Sequence, residues 1–363
     1  MLMRQKMFIL LLRFSVAYNL LFLVKVLRLA RRYNMQGMDR VVSEIFGLET
    51  RSLVPYKDTF MVVTSQGRKV VRKVPFSPER LLFVHGAKEH LAENGFKGID
   101  RYLCTVDGQP CFSFDNNNYT LTDFIDGREC SFENDGDVKR AAVALAEMHR
   151  ASRGYRAPGG CKVQDDLGKL PGYFSKRLDD IRKMKKQAKR GKGRFDQLFL
   201  EYVNYFCELG EGALEELNAS GYDGLAERTK EEGLFCHHDY THHNILLDAE
   251  KVTIVNFDYC CFELKVYDIA NFIRRKMRKC EWDFSKTGLI LDSYRAVEPL
   301  SNEELAVLKT ILQFPQKFWR VVNRYYNSRR SWSERSFVAR LQEVVDETGP
   351  HGEFIKQYAS RFL

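Results

Sequence analysis

The 363-residue sequence lacks paired cysteine motifs, and its apolar start has no long uncharged run. The nine cysteines are an odd number without a C-x-x-C pair, which argues against a disulfide framework or a zinc site and predicts reduced thiols. The longest uncharged run near the start has eleven residues. A membrane-spanning helix needs roughly 20. The 44% hydrophobic and 13% aromatic content is ample for a large core and excludes a disordered protein.

Acidic residues are absent from residues 1–37, which contain seven basic ones. Of the formal net charge of +9, only +2 therefore falls on residues 38–363. Arg13 interrupts the apolar stretch of this leader, and no small-x-small cleavage site follows, which disfavours a signal peptide. Because the composition changes abruptly at Met38, we expect residues 1–37 to be a non-native or dispensable extension, a helix on a membrane surface, or a helix packed on the body.

Aromatic residues are absent from the basic stretch Lys176 to Arg194, which holds ten basic and two acidic residues. Within it, Leu178, Ile181 and Met184 recur at helical spacing and predict an amphipathic helix with a solvated basic face. Nucleic-acid or other polyanion binding through this stretch is the alternative, and it is less favoured because interleaved aromatic side chains would strengthen it.

The hydrophobic period changes along the remainder of the chain. Short β-runs with turns between them fill residues 48–121, interrupted by a helix that is predicted from Pro78 to Glu93. The predicted strands lie at residues 60–64, 70–74, 102–106, 111–114 and 119–121. Beyond residue 127 the pattern is mainly helical. The sequence therefore predicts an α+β fold with a boundary near residue 127.

One loop combines the residues that phosphoryl transfer needs. His237, Asp239 and Asn244 have the spacing H-x-D-x-x-x-x-N. In such a loop a carboxylate orients and deprotonates the attacking hydroxyl, and an amide oxygen five residues later holds Mg²⁺. Asp239 and His237 are therefore the candidate catalytic residues, and Asn244 is a candidate metal ligand. A zinc cluster of the neighbouring histidines is disfavoured, because their spacing supplies no settled third ligand.

This loop resembles the Brenner-type motif of aminoglycoside phosphotransferases and their kinase-fold relatives, and in particular the CotS-like spore coat family. The similar segments, all after residue 37, are residues 122–129, 145–151, 236–244, 254–258, 267–273 and 314–319. The resemblance implies a bilobal protein-kinase-like fold, with a β-rich N-lobe at residues 38–127 and a helical C-lobe at 128–363. The catalytic loop region would be residues 236–258.

The resemblance also implies a nucleotide site. Counted along the family pattern, Arg72 stands at the position of the phosphate-binding lysine, with Lys73 beside it. The similarity of residues 122–129 to the family implies that Asp123 and Ile125 contact the cofactor, ATP. Arginine keeps the charge of lysine but not its compact geometry. Residues 51–66 contain no glycine that could form a loop over the phosphates.

The metal motif departs from the family pattern as well. Asn256 stands where relatives have an aspartate that binds Mg²⁺, and a neutral ligand holds the ion less strongly than a carboxylate. Asp258, two residues later, is a possible substitute. A further departure is that Val84 and His85 replace the glutamate that pairs with the lysine. By the same resemblance, Asp268 is a structural residue that supports the backbone of the catalytic loop.

These residues lead to two main functional hypotheses. The favoured one is a spore coat protein with a kinase-like fold that is structural or weakly active, made in the cytoplasm and assembled with other coat proteins. The alternative is an active ATP-dependent phosphotransferase that uses Mg²⁺ and acts on a small molecule or a polymer. Nucleic-acid binding is less expected, and contact with a membrane is expected only through residues 1–37.

Overall fold

The computed structural model of the protein describes residues 37–328 and 333–363, so the leader predicted at residues 1–37 lies outside the described residues apart from Gly37. The described chain divides into two compact units. The first contains residues 37–85, 100–125 and 159–162, and the second contains residues 86–99, 126–158 and the chain from 163 onwards. Within the described ranges, no helix has both the length and the apolar character needed to cross a membrane.

The first unit is built on an antiparallel sheet of five strands. Its elements are α1 (Met38–Phe46), β1 (Thr50–Tyr56), β2 (Thr59–Thr64), β3 (Gly67–Val74), β4 (Phe112–Phe114) and β5 (Asn117–Asp123). The strand order is β1-β2-β3-β5-β4. The turn between β2 and β3 places Gly67 at φ +94°, a backbone conformation that glycine adopts at little cost.

The predicted strand at residues 102–106 is wrong. Tyr102 forms a bridge to Thr122 of β5, and residues 103–106 form none with the described residues. The next backbone N–H groups donate to three separate parts of the first unit: Leu103 to Leu121, Thr105 to Gln109, and Val106 to Ile45, at 2.8, 2.8 and 2.9 Å. A strand requires successive bonds to one partner. This segment has the residue types of a strand, but its partners are not aligned.

The second unit is mainly helical, as predicted. Helix α2 (Pro78–Glu93) has the predicted bounds, and its residues from Gly86 onwards belong to this unit. The other helices are α3 (Asp135–Ser152), α4 (Leu170–Ala188), α5 (Arg194–Ala219), α6 (Tyr222–Glu232), α7 (Lys265–Met277), α8 (Phe284–Arg295), α9 (Asn302–Gln313), α10 (Gln316–Asn327), α11 (Glu334–Asp346) and α12 (Thr348–Phe362). Two small sheets accompany them, with strand orders β6-β8-β9 and β10-β7. Their strands are β6 (Arg128–Glu129), β7 (Phe235–Cys236), β8 (Ile245–Leu247), β9 (Val252–Ile254) and β10 (Cys261–Phe262).

The basic stretch at residues 176–194 forms most of α4 and the turn that follows it. The predicted apolar stripe of α4 is buried and packs with α5, α10 and α11 in one hydrophobic cluster around Phe199 and Phe318. Lys186 and Lys189, on the opposite side, are exposed. The interpretation of this stretch as an amphipathic helix with a solvated basic face is confirmed.

All nine cysteines lie in the described part of the chain, and none of them forms a disulfide there. Cys130, Cys236, Cys260 and Cys261 are at most 2% exposed, so the side chains of these four cysteines pack in the protein interior. Burial raises the pKa of the Cys130 thiol to about 12 and raises that of Cys236 well above its ordinary value. The thiols of Cys130 and Cys236 therefore stay protonated at neutral pH and are poor nucleophiles.

The two sides of this helical region should respond differently to substitution. Phe199→Ala removes a fully buried ring and should lower the free energy of unfolding by about 3–5 kcal/mol. Lys186→Gln combined with Lys189→Gln, the control, should change it by less than about 0.5 kcal/mol for each residue. Urea unfolding measures both. A loss from the lysine variant as large as that from Phe199→Ala would contradict a solvated face.

Candidate functional site

The loop that the sequence analysis predicted as the catalytic loop leaves β7 and bends around one buried carboxylate. Asp268, on the first turn of α7, accepts a hydrogen bond from the backbone N–H of His237 at 2.7 Å through Oδ2. Its other oxygen, Oδ1, accepts one from the N–H of His238 at 2.8 Å. Asp268 and His237 are fully buried. The predicted structural role of Asp268 in supporting the loop is confirmed by these two bonds.

His149 of α3 completes the environment of this carboxylate. Its Nε2 lies 3.3 Å from Oδ2 of Asp268, and its Nδ1 lies 2.8 Å from the hydroxyl of Tyr294. Burial lowers the pKa of His149 despite the opposing effect of Asp268, so the neutral ring donates through Nε2 and accepts through Nδ1. Burial acts to raise the pKa of Asp268, but the bond from His149 and the nearby histidines hold that pKa below its ordinary value.

Both ring nitrogens of His237 are engaged by the backbone. Nε2 donates to the carbonyl oxygen of Val255 at 3.0 Å, and Nδ1 accepts from the N–H of Asp239 at 3.2 Å. The ring also packs edge-on against Phe257, with 4.6 Å between centroids. The predicted part of His237 in catalysis stays a prediction, and the geometry favours a positioning role towards Asp239.

The structure brings three predicted site residues into one chain of hydrogen bonds. The side-chain amide of Asn244 donates to Asp239, at 2.9 Å from its carbonyl oxygen and 3.2 Å from Oδ2. Asn256 in turn donates to Oδ1 of Asn244 at 2.8 Å. Asn244 ends the short 3₁₀ helix His242–Asn244, and Asn256 follows β9 with φ +63°. The loop after β9 therefore delivers Asn256 to the catalytic loop.

The oxygen donors near this chain fit a hard divalent cation. Asn244 and Asn256 are hydrogen-bonded to each other, and each carries a side-chain amide oxygen. Asp258 is two residues after Asn256, in the 3₁₀ helix Phe257–Tyr259. Mg²⁺ prefers such amide and carboxylate oxygens. With asparagine at position 256, the set has one negative charge fewer than an aspartate would give. Metal binding by these three residues remains a prediction.

The residues predicted to contact ATP lie in the first unit. Arg72 and Lys73 are neighbours on β3, where Arg72 is half-buried and Lys73 is exposed. Asp123 ends β5 and forms an ion pair with Lys69, its register partner on β3. Ile125 follows two residues later. Lys69 is 5% exposed, and the sequence analysis did not identify its pairing with Asp123. The roles of Arg72, Lys73, Asp123 and Ile125 in nucleotide binding stay predictions.

Two residues at the catalytic loop were missed as site residues by the sequence analysis. Arg275 lies 3.3 Å from Oδ1 of Asp239 through its Nη2. It follows Asp268 by seven residues on α7, and this spacing places both on one face of the helix, so the signal was present. His149 is 119 residues from Asp268. No local spacing could have indicated that contact.

The four histidines of the loop do not form one cluster. His238 has φ +67° and stacks on the ring of Tyr267 at 4.3 Å between centroids. Burial lowers its pKa. His242 and His243 lie instead beside Glu129 of β6. The ligand atoms of Glu129, His242 and His243 lie within 4.8 Å of one another, so the expectation that the histidines form no metal centre stays a prediction.

A comparison with family models matches residues 39–358 to the family described as "Spore coat putative kinase YutH". Among curated proteins, spore coat protein S of Bacillus subtilis (strain 168) is 26% identical over 324 residues, which cover 86% of this chain and 92% of that protein.

Two solved structures are similar in fold. An aminoglycoside phosphotransferase from Alicyclobacillus acidocaldarius has a TM-score of 0.78 at 23% identity, covering 88% of this chain and 95% of that one. The amicoumacin kinase hAmiN, in complex with AMP-PNP, Ca²⁺ and Ami, has a TM-score of 0.57 at 12% identity, covering 88% and 96%. The predicted α+β, protein-kinase-like fold is confirmed by these likenesses.

The buried His149 makes the stability of the protein depend on pH. The pKa of His149 in the folded protein is lower than the ordinary value of 6.5. As the pH falls below 6.5, the ring therefore takes up a proton in the unfolded chain but not in the folded one. The contribution of the neutral ring to the free energy of unfolding is complete above pH 6.5 and is lost as the pH is lowered. His149→Gln keeps a donor for Asp268 and removes the group that titrates, so it should reduce the stability lost between about pH 7.5 and about pH 5.5. Urea unfolding at both pH values measures the difference. An unchanged loss in the variant would contradict a neutral His149.

Proposed function

The chain belongs to the YutH spore coat family, and from this premise we propose that it is a coat protein that slowly transfers phosphate from ATP to a hydroxyl acceptor. The observation that supports the proposal is the placement of Asp239. Asn244 and Arg275 contact its carboxylate from two sides, and the loop that carries it is fixed by Asp268. A catalytic base held in this way has little freedom to leave its working position.

Asp239 would act on the acceptor. Its Oδ2 is bonded to the amide of Asn244 and its Oδ1 faces Arg275. A carboxylate with remaining acceptor capacity can orient an acceptor hydroxyl and take its proton as the new O–P bond forms, while the bond between the γ-phosphorus and the bridging oxygen breaks and ADP leaves. His237 would act through Asp239, by fixing the backbone N–H of that residue.

The metal and the nucleotide would supply the charge neutralisation and the phosphoryl group. Asn244, Asn256 and Asp258 would hold Mg²⁺, and Arg72 or Lys73 would contact the phosphates, with Asp123 and Ile125 also on the nucleotide. The amicoumacin kinase of the same fold, solved with AMP-PNP and Ca²⁺, supports a nucleotide and a divalent cation as the cofactor classes.

One contact favours slow turnover over efficient catalysis. Asn256 is neutral, and its amide hydrogen points to the oxygen that Asn244 would offer to the metal. The two residues would have to exchange this bond for metal coordination, and Asn256 would then contribute no charge. The second candidate function, a catalytically silent coat component, is favoured by the same contact and by the similarity to spore coat protein S.

The site of action in this proposal is the spore coat. The protein would be made in the cytoplasm and assembled with other coat proteins, with a small molecule or a coat polymer as the acceptor. The family match and the relative named for the coat support this location.

Nucleotide binding and turnover can be tested separately. MgATP at about 100 times its Kd should stabilise the wild type by about 2.7 kcal/mol in a thermal-shift titration. Asp239→Asn should leave this shift intact and abolish phosphate release, because the base acts on the acceptor and not on ATP. Asn256→Asp should raise MgATP affinity by adding a charge at the metal.

Asn302→Asp is the matched control for Asn256→Asp, since Asn302 is an exposed asparagine at the start of α9 and should not change MgATP affinity. If millimolar MgATP gives no shift in the wild type, the phosphotransferase proposal fails. Nucleotide binding without phosphate release in the wild type and in Asn256→Asp would instead support the silent coat component.

A further inference from the structure

A cationic cavity lies beside the catalytic loop in the second unit. Among the described residues that line it, Glu347 carries the one carboxylate and five are basic: Arg274, Arg275, Arg278, Lys317 and Arg320. The cavity has a volume of about 90 Å³, enough for several water molecules or for the charged group of a ligand. His351 also lines it, and burial lowers the pKa of that ring and keeps it neutral.

The positive charge of this cavity is only partly compensated. Lys317 pairs with Glu347 at 2.7 Å, and Arg275 pairs with Asp239. Within the part of the chain that the structure describes, Arg274 donates to the backbone carbonyls of Ile311 and Phe314 and to no carboxylate. Among the described residues, no carboxylate lies within ion-pair distance of Arg278 or Arg320.

The arginines also act on one another. Burial, and after it the charges of Arg320, Arg177 and Arg278, lower the pKa of Arg274 to about 9. The guanidinium still remains charged at neutral pH, because that value is well above 7. Like charges held together in partly buried surroundings repel, and an anion between them would relieve the repulsion.

Two further features of the wall suit an anion. Helix α10 begins at the cavity with Gln316 and Lys317, and no side chain among the described residues caps it. The N–H groups at the start of a helix attract negative charge. In addition, Nε1 of Trp282, which also lines the cavity, is buried and has no hydrogen-bond partner within the described chain. It is a donor available to a ligand oxygen.

We propose that this cavity binds a phosphate or carboxylate group of the acceptor, so that the acceptor is an anionic hydroxyl compound; this inference rests on the proposed function. Arg275 connects the two places, because it lines the cavity and contacts Asp239. An acceptor held by its anionic group here would present its hydroxyl towards the base. A polycationic acceptor such as an aminoglycoside would be repelled.

Anion binding can be measured without nucleotide or Mg²⁺, at constant ionic strength, through the tryptophan fluorescence, to which Trp282 and the two other tryptophans contribute. Inorganic phosphate and acetate are titrated in separate arms, and the anion that binds more tightly identifies the group. Arg278→Gln combined with Arg320→Gln should weaken that binding by about tenfold or more, because charge-assisted hydrogen bonds are lost. Lys186→Gln with Lys189→Gln removes the same charge from exposed positions near the end of α4 and should leave the affinity unchanged.

Urea unfolding of the arginine variant serves as the folding check. Loss of two repelling charges should leave the unfolding midpoint unchanged or raise it, and a lowered midpoint would mean that the arginines are paired within the fold, which would overturn the proposal. Absence of binding by either anion, or equal weakening in the lysine variant, would also overturn it. Anion binding in a protein that ignores MgATP would support the anion site and reject the proposed phosphotransferase function.

Discussion

The carboxylate of Asp268 is completely buried, and the backbone of the catalytic loop is arranged around it. An isolated charge in such surroundings would cost several kcal/mol, so the bonds from His149 and from two successive backbone N–H groups must all be present together. Two consecutive N–H groups can converge on one anion only if the chain turns sharply, and the left-handed conformation of His238 provides this turn. The positions of His237, Asp239 and Asn244 all follow from it.

The extent to which the sequence predicted this structure depended on the range of the interactions. Helix α2 and the apolar stripe of α4 were predictable because their signals, a proline start and a helical period, are local. The link from Asp239 to Asn244 also lies within one short motif. The segment at residues 102–106 was predicted wrongly, because its pairing depends on distant partners. His149 was missed as a partner of Asp268 for the same reason.

The basic residues of the chain experience two different environments. Those on the outer face of α4 are surrounded by water, where a charge has high solvation and weak influence on its neighbours. The arginines around Arg274 share a cavity with few carboxylates, where each charge affects the others. The net charge of the chain does not distinguish the basic residues of α4 from those of the cavity. The basic residues of α4 are the longest basic run in the sequence. The arginines of the cavity near Asp239 are fewer, but a bound anion would change their electrostatic energy more.

The buried thiols have a consequence for the lifetime of the protein. Oxidation of cysteine proceeds through the thiolate, and burial that raises the thiol pKa suppresses this form in Cys130, Cys236 and Cys261. In a folded molecule that persists for long periods without resynthesis, these positions would resist oxidative damage and unwanted cross-linking. Cys104 is exposed, and its thiol would be oxidised before the buried thiols. Cysteine oxidation would therefore occur at the surface of the protein and spare Cys236 at the start of the catalytic loop region.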